Sequence, residues 1–128
     1  MKCLDSNILI DILRNKHNAR QIVSELDAEP RNATTTVSAL ELFYGANKSQ
    51  NKDINVEKVR LLLQRLDVLP LTLSASELAG ELMATLAQKG ETIEYRDAMI
   101  AGIVLDSGMT LVTRNKKHFS RIPGIKIE

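Results

Sequence analysis

Short apolar runs alternate along this chain with longer segments in which apolar residues recur at helical spacing. The apolar runs predict strands at 1–4, 33–37, 110–113 and 125–127, with a further short strand at 68–73. The periodic segments predict helices at 8–13, 17–29, 38–48, 56–66, 74–90 and 97–106. Strands that alternate with helices indicate an α/β fold with a mostly parallel sheet.

Residues with special backbone preferences mark where several of these elements end. Gly90 and Gly108 follow helical segments and suit the left-handed position that commonly closes a helix. Pro70 lacks an amide proton, so the strand around it is expected at an edge of the sheet. The segment 97–106 is apolar almost all round and includes Gly102, so we expect it to lie buried and close against the sheet.

The composition fits one globular domain over residues 1–128. Hydrophobic residues make up 44% and charged residues 26% of the chain, which is enough to build a core. The net charge is +1, so the chain as a whole has no strong attraction for nucleic acid. The single Cys3 excludes a disulfide framework, and with only His17 and His118 it makes no credible zinc site.

The sequence predicts neither export nor a membrane contact. Asp5 and Asp11 interrupt any apolar region of a signal peptide, and no apolar run is long enough to span a bilayer. A lone cysteine within a predicted buried strand suits a reducing compartment. We therefore expect a cytoplasmic protein.

Three acids, Asp5, Glu41 and Asp97, lie at the end of a predicted strand or near the start of a predicted helix. Each has a structural interpretation. Asp5 can cap a helix, and Asp97 suits the positive end of a helix dipole. Glu41 has the spacing of a capping box with Ser38. Alternatively, the acids converge at the carboxyl ends of parallel strands, where open α/β sheets bind ligands.

Convergence of these carboxylates would be costly unless they are paired, protonated or bound to a cation. Two carboxylates about 5 Å apart repel each other by roughly 3 kcal/mol at an effective dielectric of about 20. A hard cation that prefers carboxylate and water ligands, such as Mg²⁺ or Mn²⁺, removes this conflict. Basic residues also crowd the C-terminal end and form either a solvated surface or a phosphate-facing patch: Arg114, Lys116, Lys117, His118, Arg121 and Lys126.

Four segments of the chain carry a family resemblance in their order along the sequence. The opening segment 5–11 resembles the first motif of the PIN-domain ribonucleases, and of the VapC toxins in particular. The segments 38–45, 96–102 and 110–119 resemble the second, third and fourth motifs, and 122–125 resembles the usual closing segment. Each motif is loose alone, but the ordered set covers the whole chain.

The resemblance implies a three-layer α/β/α PIN-like domain with a central parallel sheet of about five short strands. It implies a catalytic set of Asp5, Glu41, Asp97 and Asn115, with Asp5 and Asp97 as ligands of Mg²⁺ or Mn²⁺. It implies two further groups: Ser6, Asn7 and Thr113 as residues that orient the carboxylates or metal-bound water, and Arg114, Lys116 and Lys117 as RNA contacts. Asn115 stands where many PIN domains have Asp, so a second metal is less firmly expected than the first.

The activity implied by the resemblance is hydrolysis of phosphodiester bonds in tRNA, ribosomal RNA or other RNA by a metal-activated water. The implied partners are the RNA substrate, a VapB-like antitoxin and a second copy of the chain in a homodimer. Two alternatives stay open. Asn115 allows a PIN-like scaffold that binds RNA without cutting it. A phosphoacceptor signalling domain would share the fold, but the strand at 33–37 offers no acceptor Asp.

Overall fold

One parallel sheet organises the computed structural model, which describes residues 1–16, 19–28 and 31–128. Its strands lie in the order β3-β2-β1-β4-β5, and every neighbouring pair is parallel. The strands are β1 (Lys2–Leu4), β2 (Ala33–Thr35), β3 (Asp67–Leu69), β4 (Thr110–Val112) and β5 (Lys126–Ile127). This confirms the predicted α/β fold with a five-stranded parallel sheet.

Helices flank the sheet on both faces. They are α1 (Ser6–Arg14), α2 (Ala19–Asp27), α3 (Thr36–Asn47), α4 (Lys52–Gln64), α5 (Leu73–Gln88), α6 (Tyr95–Ser107) and α7 (Lys116–Phe119). The predicted helix at 17–29 is confirmed over α2, while His17, Asn18, Glu29 and the predicted break at Pro30 lie outside the described residues. The pattern of the sequence did not predict the short helix α7.

The core lies on both faces of the sheet because consecutive strand residues point to opposite sides. Cys3 faces a cluster built by α5, α6 and the C-terminal segment, which includes Leu86, Ile100, Val104, Leu111 and Phe119. Leu4 faces a cluster built by α1 to α4, which includes Leu9, Leu26, Leu42, Val59 and Leu66. Burial, and then the charge of Asp5, raises the pKa of the Cys3 thiol to about 12. The thiol is therefore an inert part of the core, as predicted.

The strand order creates a switch point at the carboxyl ends of β1 and β4. From β1 the chain moves through β2 to β3 on one side, and it returns to place β4 and β5 on the other. Connections leave these neighbouring strands in opposite directions, which opens a crevice outside their carboxyl ends. Asp5 follows β1 directly and therefore lies at this crevice.

The start of α3 corrects the prediction for its helix cap. The strand ends at Thr35 rather than at 37, and α3 begins at Thr36 rather than at Ser38. The Thr35 hydroxyl caps the helix by accepting a hydrogen bond from the Ser38 amide at 3.0 Å. A threonine cap satisfies a free amide of the first turn, so the predicted capping box between Ser38 and Glu41 is wrong.

Two other local predictions are confirmed. Gly90 and Gly108 have φ values of 75° and 68°, the left-handed geometry that a helix-closing glycine supplies. β3 is an edge strand, as predicted. It ends at Leu69, so the predicted continuation of the strand through Pro70 to residue 73 is wrong, because proline cannot donate to a sheet.

Helix α6 is buried, as predicted, but at Gly102 it lies closest to another helix rather than to the sheet. Its residues Ile100 and Ala101 are fully buried. A Cβ added at Gly102 would lie 2.4 Å from the carbonyl oxygen of Ala75 and 3.0 Å from Cβ of Ala79. Both belong to α5, so the missing side chain lets α6 approach α5 rather than the sheet. None of the helices in the described ranges is long and apolar enough to cross a membrane.

Candidate active site

Asp5 is buried at the crevice and is held by several donors. Its relative exposure is 1%. Oδ1 accepts a hydrogen bond from the Ser6 amide at 2.8 Å, so Asp5 caps α1. Oδ2 accepts from the Thr113 hydroxyl at 2.8 Å and from the Asn7 side-chain amide at 3.5 Å. α1 therefore begins at Ser6, two residues earlier than predicted, and Ser6, Asn7 and Thr113 all lie around Asp5.

Two further acids reach the same place from different helices. Glu41 lies in the second turn of α3, where its side chain is 36% exposed. Asp97 lies in the first turn of α6, and its side chain is 11% exposed. The parallel topology directs the starts of both helices toward the carboxyl edge of the sheet. The structure thus brings Asp5, Glu41 and Asp97 together, as the convergent interpretation predicted.

Arg96 joins these three acids through a single guanidinium group. Its Nε donates to Glu41 at 2.8 Å, and its Nη1 donates to Asp97. Its Nη2 donates to Asp5 at 2.9 Å and to the Ser6 hydroxyl at 2.8 Å. We name Asp5, Glu41, Asp97 and Arg96 the carboxylate cluster.

The electrostatic balance of the carboxylate cluster favours a charged Arg96. Burial alone lowers the pKa of the guanidinium, but the hydrogen bond from Arg96 to Glu41 and the charges of Asp5 and Glu41 raise it by more. The guanidinium is therefore protonated throughout the pH range in which proteins are folded. Three carboxylates surround one cation, so the cluster keeps an excess of formal negative charge.

The sequence predicted no role for Arg96 and placed His118 only among the basic residues near the C-terminal end. Arg96 entered the sequence analysis only as one position of the third motif. Its position directly before a candidate acid at a helix start was the one feature that could have indicated a contact with the acids. His118 Nε2 lies 2.9 Å from Asp97 Oδ2. Arg121 fixes the His118 backbone by donating from Nε to its carbonyl oxygen at 3.0 Å.

Asn115 lies beside the carboxylate cluster rather than within it. It precedes α7, and its side chain makes no capping hydrogen bond. Its amide donates to the Thr113 hydroxyl at 3.1 Å, so its backbone supports the residue that holds Asp5. Its side chain lines an open cleft together with Asp97 and His118.

The predicted RNA-contacting residues lie at the same edge of the sheet but differ in their surroundings. Lys116 and Lys117 are exposed on α7. Arg114 is half-exposed, and its Nε lies 3.1 Å from Oδ2 of the buried Asp11. Arg114 therefore has a partner within the chain, whereas the side chains of the two lysines face solvent.

The donor chemistry of the carboxylate cluster suits a hard cation, because its ligand atoms are carboxylate oxygens. The arrangement of those atoms does not. No group of three His, Cys, Asp or Glu side chains in the described part of the chain is placed to hold a metal ion. The position between the carboxylates is taken by the Arg96 guanidinium.

Comparison with known proteins identifies the family. The PIN domain sequence profile matches residues 2–125. The chain belongs to the PIN-domain family. It is 36% identical over 125 residues to the tRNA(fMet)-specific endonuclease VapC of Salmonella typhimurium, a match that covers 98% of this chain and 94% of the relative. It is 35% identical to ribonuclease VapC2 of Rickettsia felis, with the same coverage.

Solved VapC structures share the fold along the whole chain. The DNA-bound VapBC complex from Salmonella typhimurium contains a chain that matches with a TM-score of 0.91 and 35% identity, over 99% of this chain and 96% of that one. VapBC2 from Rickettsia felis, bound to a promoter DNA fragment, matches with a TM-score of 0.90 and 30% identity, at the same coverage. The chain is thus a VapC-family ribonuclease toxin with a PIN fold, which confirms the predicted resemblance. Its family is generally metal-dependent, and this membership decides against the phosphoacceptor interpretation.

Proposed function

We propose that this chain cuts RNA at the carboxylate cluster with the help of Mg²⁺ or Mn²⁺, and that it acts as the toxin of a toxin–antitoxin pair. The observation that carries the proposal is the meeting of Asp5, Glu41 and Asp97, from three separate elements, around one cation at the switch point of the sheet. A capping role does not account for Glu41, because Thr35 caps its helix. An excess of negative charge in a half-buried crevice is costly unless a counter-ion or a metal compensates it.

Asp5 and Asp97 are the proposed metal ligands, and Glu41 and Asn115 complete the proposed catalytic set. When bound, the cation supplies positive charge that polarises the phosphodiester and lowers the pKa of a water. Ser6, Asn7 and Thr113 keep the Asp5 carboxylate in one orientation through hydrogen bonds to its two oxygens. Such fixed orientation reduces the reorganisation that catalysis would otherwise require.

The proposed path of the RNA backbone runs beside α7. Lys116 and Lys117 are exposed there, next to the cleft that Asp97 and His118 line. Cations that face a cleft attract phosphates and release their counterions. Arg114 is a weaker candidate than predicted from the sequence, because Asp11 already binds it.

The proposed substrate is a structured RNA such as tRNA or ribosomal RNA, cut at an exposed loop. The Salmonella typhimurium relative is named for tRNA(fMet), so initiator tRNA is the first substrate to test. The experiment incubates purified protein with total RNA and with initiator tRNA, with Mg²⁺ or with EDTA, and maps the new ends. We expect discrete cuts that EDTA abolishes. The absence of cuts with Mg²⁺ or Mn²⁺ would contradict the proposal.

A second candidate function is RNA binding without cleavage. Two features favour it: Asn115 brings no charge to the fourth motif, and Arg96 occupies the position between the acids. The same assay separates the two functions when it is combined with a gel-shift measurement. RNA that is bound but stays intact in the presence of metal would favour the scaffold.

The proposed partners are a VapB-like antitoxin and a second copy of this chain, both in the cytoplasm. Several similar chains were solved as VapBC complexes, which supports an antitoxin partner. Co-expression of the chain with the neighbouring gene product, followed by size-exclusion chromatography with light scattering, tests both partners. A single species with the mass of one chain alone would contradict both.

A further inference from the structure

The guanidinium group of Arg96 uses most of its hydrogen-bond donors within the chain. An arginine carries five N–H donors, and the guanidinium makes four hydrogen bonds, three to carboxylates and one to the Ser6 hydroxyl. These contacts come from the residue that follows β1 and from α1, α3 and α6, so they do not arise from one local turn. Arg96 is 29% exposed at its side chain, whereas Asp5 is 1% exposed.

Arg96 contacts one oxygen of each acid in the carboxylate cluster. Asp5 and Asp97, the proposed ligands, each direct Oδ1 toward the guanidinium, and Glu41 directs Oε1 toward it. The buried Asp5 carboxylate cannot turn toward water, because Ser6 and Thr113 fix its two oxygens. A metal bound to these same oxygens would lie close to the guanidinium and would be repelled by its charge.

We infer that Arg96 is an internal counter-ion of the carboxylate cluster, which holds the acids together without metal and has to leave them before a metal binds. The inference rests on the proposed metal-dependent function. It explains why the acids lie together although no described group of them is arranged as a metal site. The partial exposure of Arg96 gives the side chain a route out of the cluster.

The inference predicts that metal affinity rises when Arg96 is replaced. The decisive variant is Arg96→Gln, and Arg96→Lys keeps the charge but cannot contact three carboxylates in one plane. The matched control is Arg65→Gln, which makes the same change in net charge. Arg65 pairs with Asp27 at the opposite, amino edge of the sheet and is 62% exposed.

Mn²⁺ is titrated into each RNA-free protein, and bound ion is measured by electron paramagnetic resonance and by isothermal titration calorimetry. For Arg96→Gln we expect a Kd about tenfold lower than that of the wild type, which corresponds to about 1.4 kcal/mol. The Kd of Arg96→Lys for Mn²⁺ should lie between those of Arg96→Gln and the wild type, and the Kd of Arg65→Gln should equal that of the wild type. Equal affinity of Arg96→Gln and the wild type would overturn the inference.

A measurement on the wild type covers the case in which Arg96→Gln does not fold. Phenylglyoxal modifies accessible arginines, and peptide mapping reports the modified fraction of Arg96 and of Arg65. Saturating Mn²⁺ should increase modification of Arg96 several-fold and leave that of Arg65 unchanged. Modification of Arg96 that does not respond to Mn²⁺ would overturn the inference.

The inference and the proposed function fail in distinguishable ways. If the wild type cuts RNA in an EDTA-sensitive manner and Arg96→Gln gains no affinity for Mn²⁺, the function stands and the inference falls. If Arg96→Gln binds Mn²⁺ more tightly but the wild type cuts no RNA, the inference stands and the proposed cleavage falls.

Discussion

At the amino edge of the sheet, two arginines each pair with one aspartate in open solvent. Arg31 binds Asp67 and Arg65 binds Asp27, and all four side chains are between 42% and 62% exposed. At the carboxyl edge, one arginine meets three acids that are 1%, 11% and 36% exposed. The first arrangement balances charge in water, while the second concentrates unbalanced charge where water is scarce.

The difference distinguishes ordinary surface ion pairs from a site whose buried charges are held in place by other residues. Exposed pairs are screened and contribute about 0–1 kcal/mol to stability. Charges removed from water interact more strongly, and they persist only when hydrogen bonds and counter-ions compensate them. At the carboxyl edge Ser6 and Thr113 supply the hydrogen bonds and Arg96 supplies the charge. Four predictions test how far this contrast between the two edges extends.

The largest expected effect is the loss of cleavage in Asp97→Asn. The substitution keeps the shape of the side chain and removes its charge, so the proposed metal loses a charged ligand. RNA cleavage should fall by about 10³-fold, measured as the initial rate on the mapped site. Asp106→Asn is the control, because Asp106 lies exposed near the other end of α6. Cleavage by Asp97→Asn at the wild-type rate would remove Asp97 from the catalytic set.

The next effect is the destabilisation of the metal-free protein by Asp5→Ala. Thr113 and the Ser6 amide lose their acceptor, and Arg96 loses one of its partners. The free energy of unfolding, measured by urea denaturation with EDTA, should fall by about 3 kcal/mol. An unchanged or higher value would mean that repulsion among the acids outweighs these hydrogen bonds.

A smaller effect is expected on RNA affinity when both Lys116 and Lys117 are replaced by Gln. Binding is measured in the Asp97→Asn background so that the RNA stays intact. Affinity at low salt should fall by about tenfold, and the slope of affinity against salt should become shallower. Lys126→Gln is the control, because Lys126 is the first residue of β5 and lies at the amino edge. An equal loss in the control would indicate nonspecific attraction.

The smallest effect is expected at the amino edge itself. Asp67→Ala removes the partner of Arg31, but both side chains are exposed to water. The free energy of unfolding should change by about 0–1 kcal/mol, in the same urea assay as Asp5→Ala. A loss as large as that of Asp5→Ala would show that the contrast between the two edges does not extend to stability.

Much of the fold could be predicted because its signals are local. Gly108 ends α6 because glycine readily adopts the left-handed conformation. Asp5 follows an apolar run, and apolar runs predict buried strands. Where two signals competed within a few residues, the prediction failed. Ser38 and Thr35 both suit a helix start, and the strand proved short enough for Thr35 to take the cap. α7 has four residues, fewer than a periodic pattern needs to appear.

The site was only partly predictable because its decisive contacts are distant in sequence. The positions of Asp5, Glu41 and Asp97 left capping and convergence both open, and the family resemblance implied that the three acids meet. The contact of Arg96 with Asp5 spans 91 positions and its contact with Glu41 spans 55. No local pattern indicates whether an arginine in a first helical turn reaches inward to acids or outward to solvent. The metal ligands and the other catalytic assignments remain predictions.

The Thr113 hydroxyl fixes which groups donate and which accept in the hydrogen-bond network around Asp5. A hydroxyl has one hydrogen, and here it points to Asp5 Oδ2. The oxygen must therefore act as the acceptor for both the Asn7 side chain and the Asn115 amide. The dipoles therefore align from the start of the lysine-bearing helix α7 toward the buried carboxylate, and Asp5 Oδ2 is the acceptor that orients them.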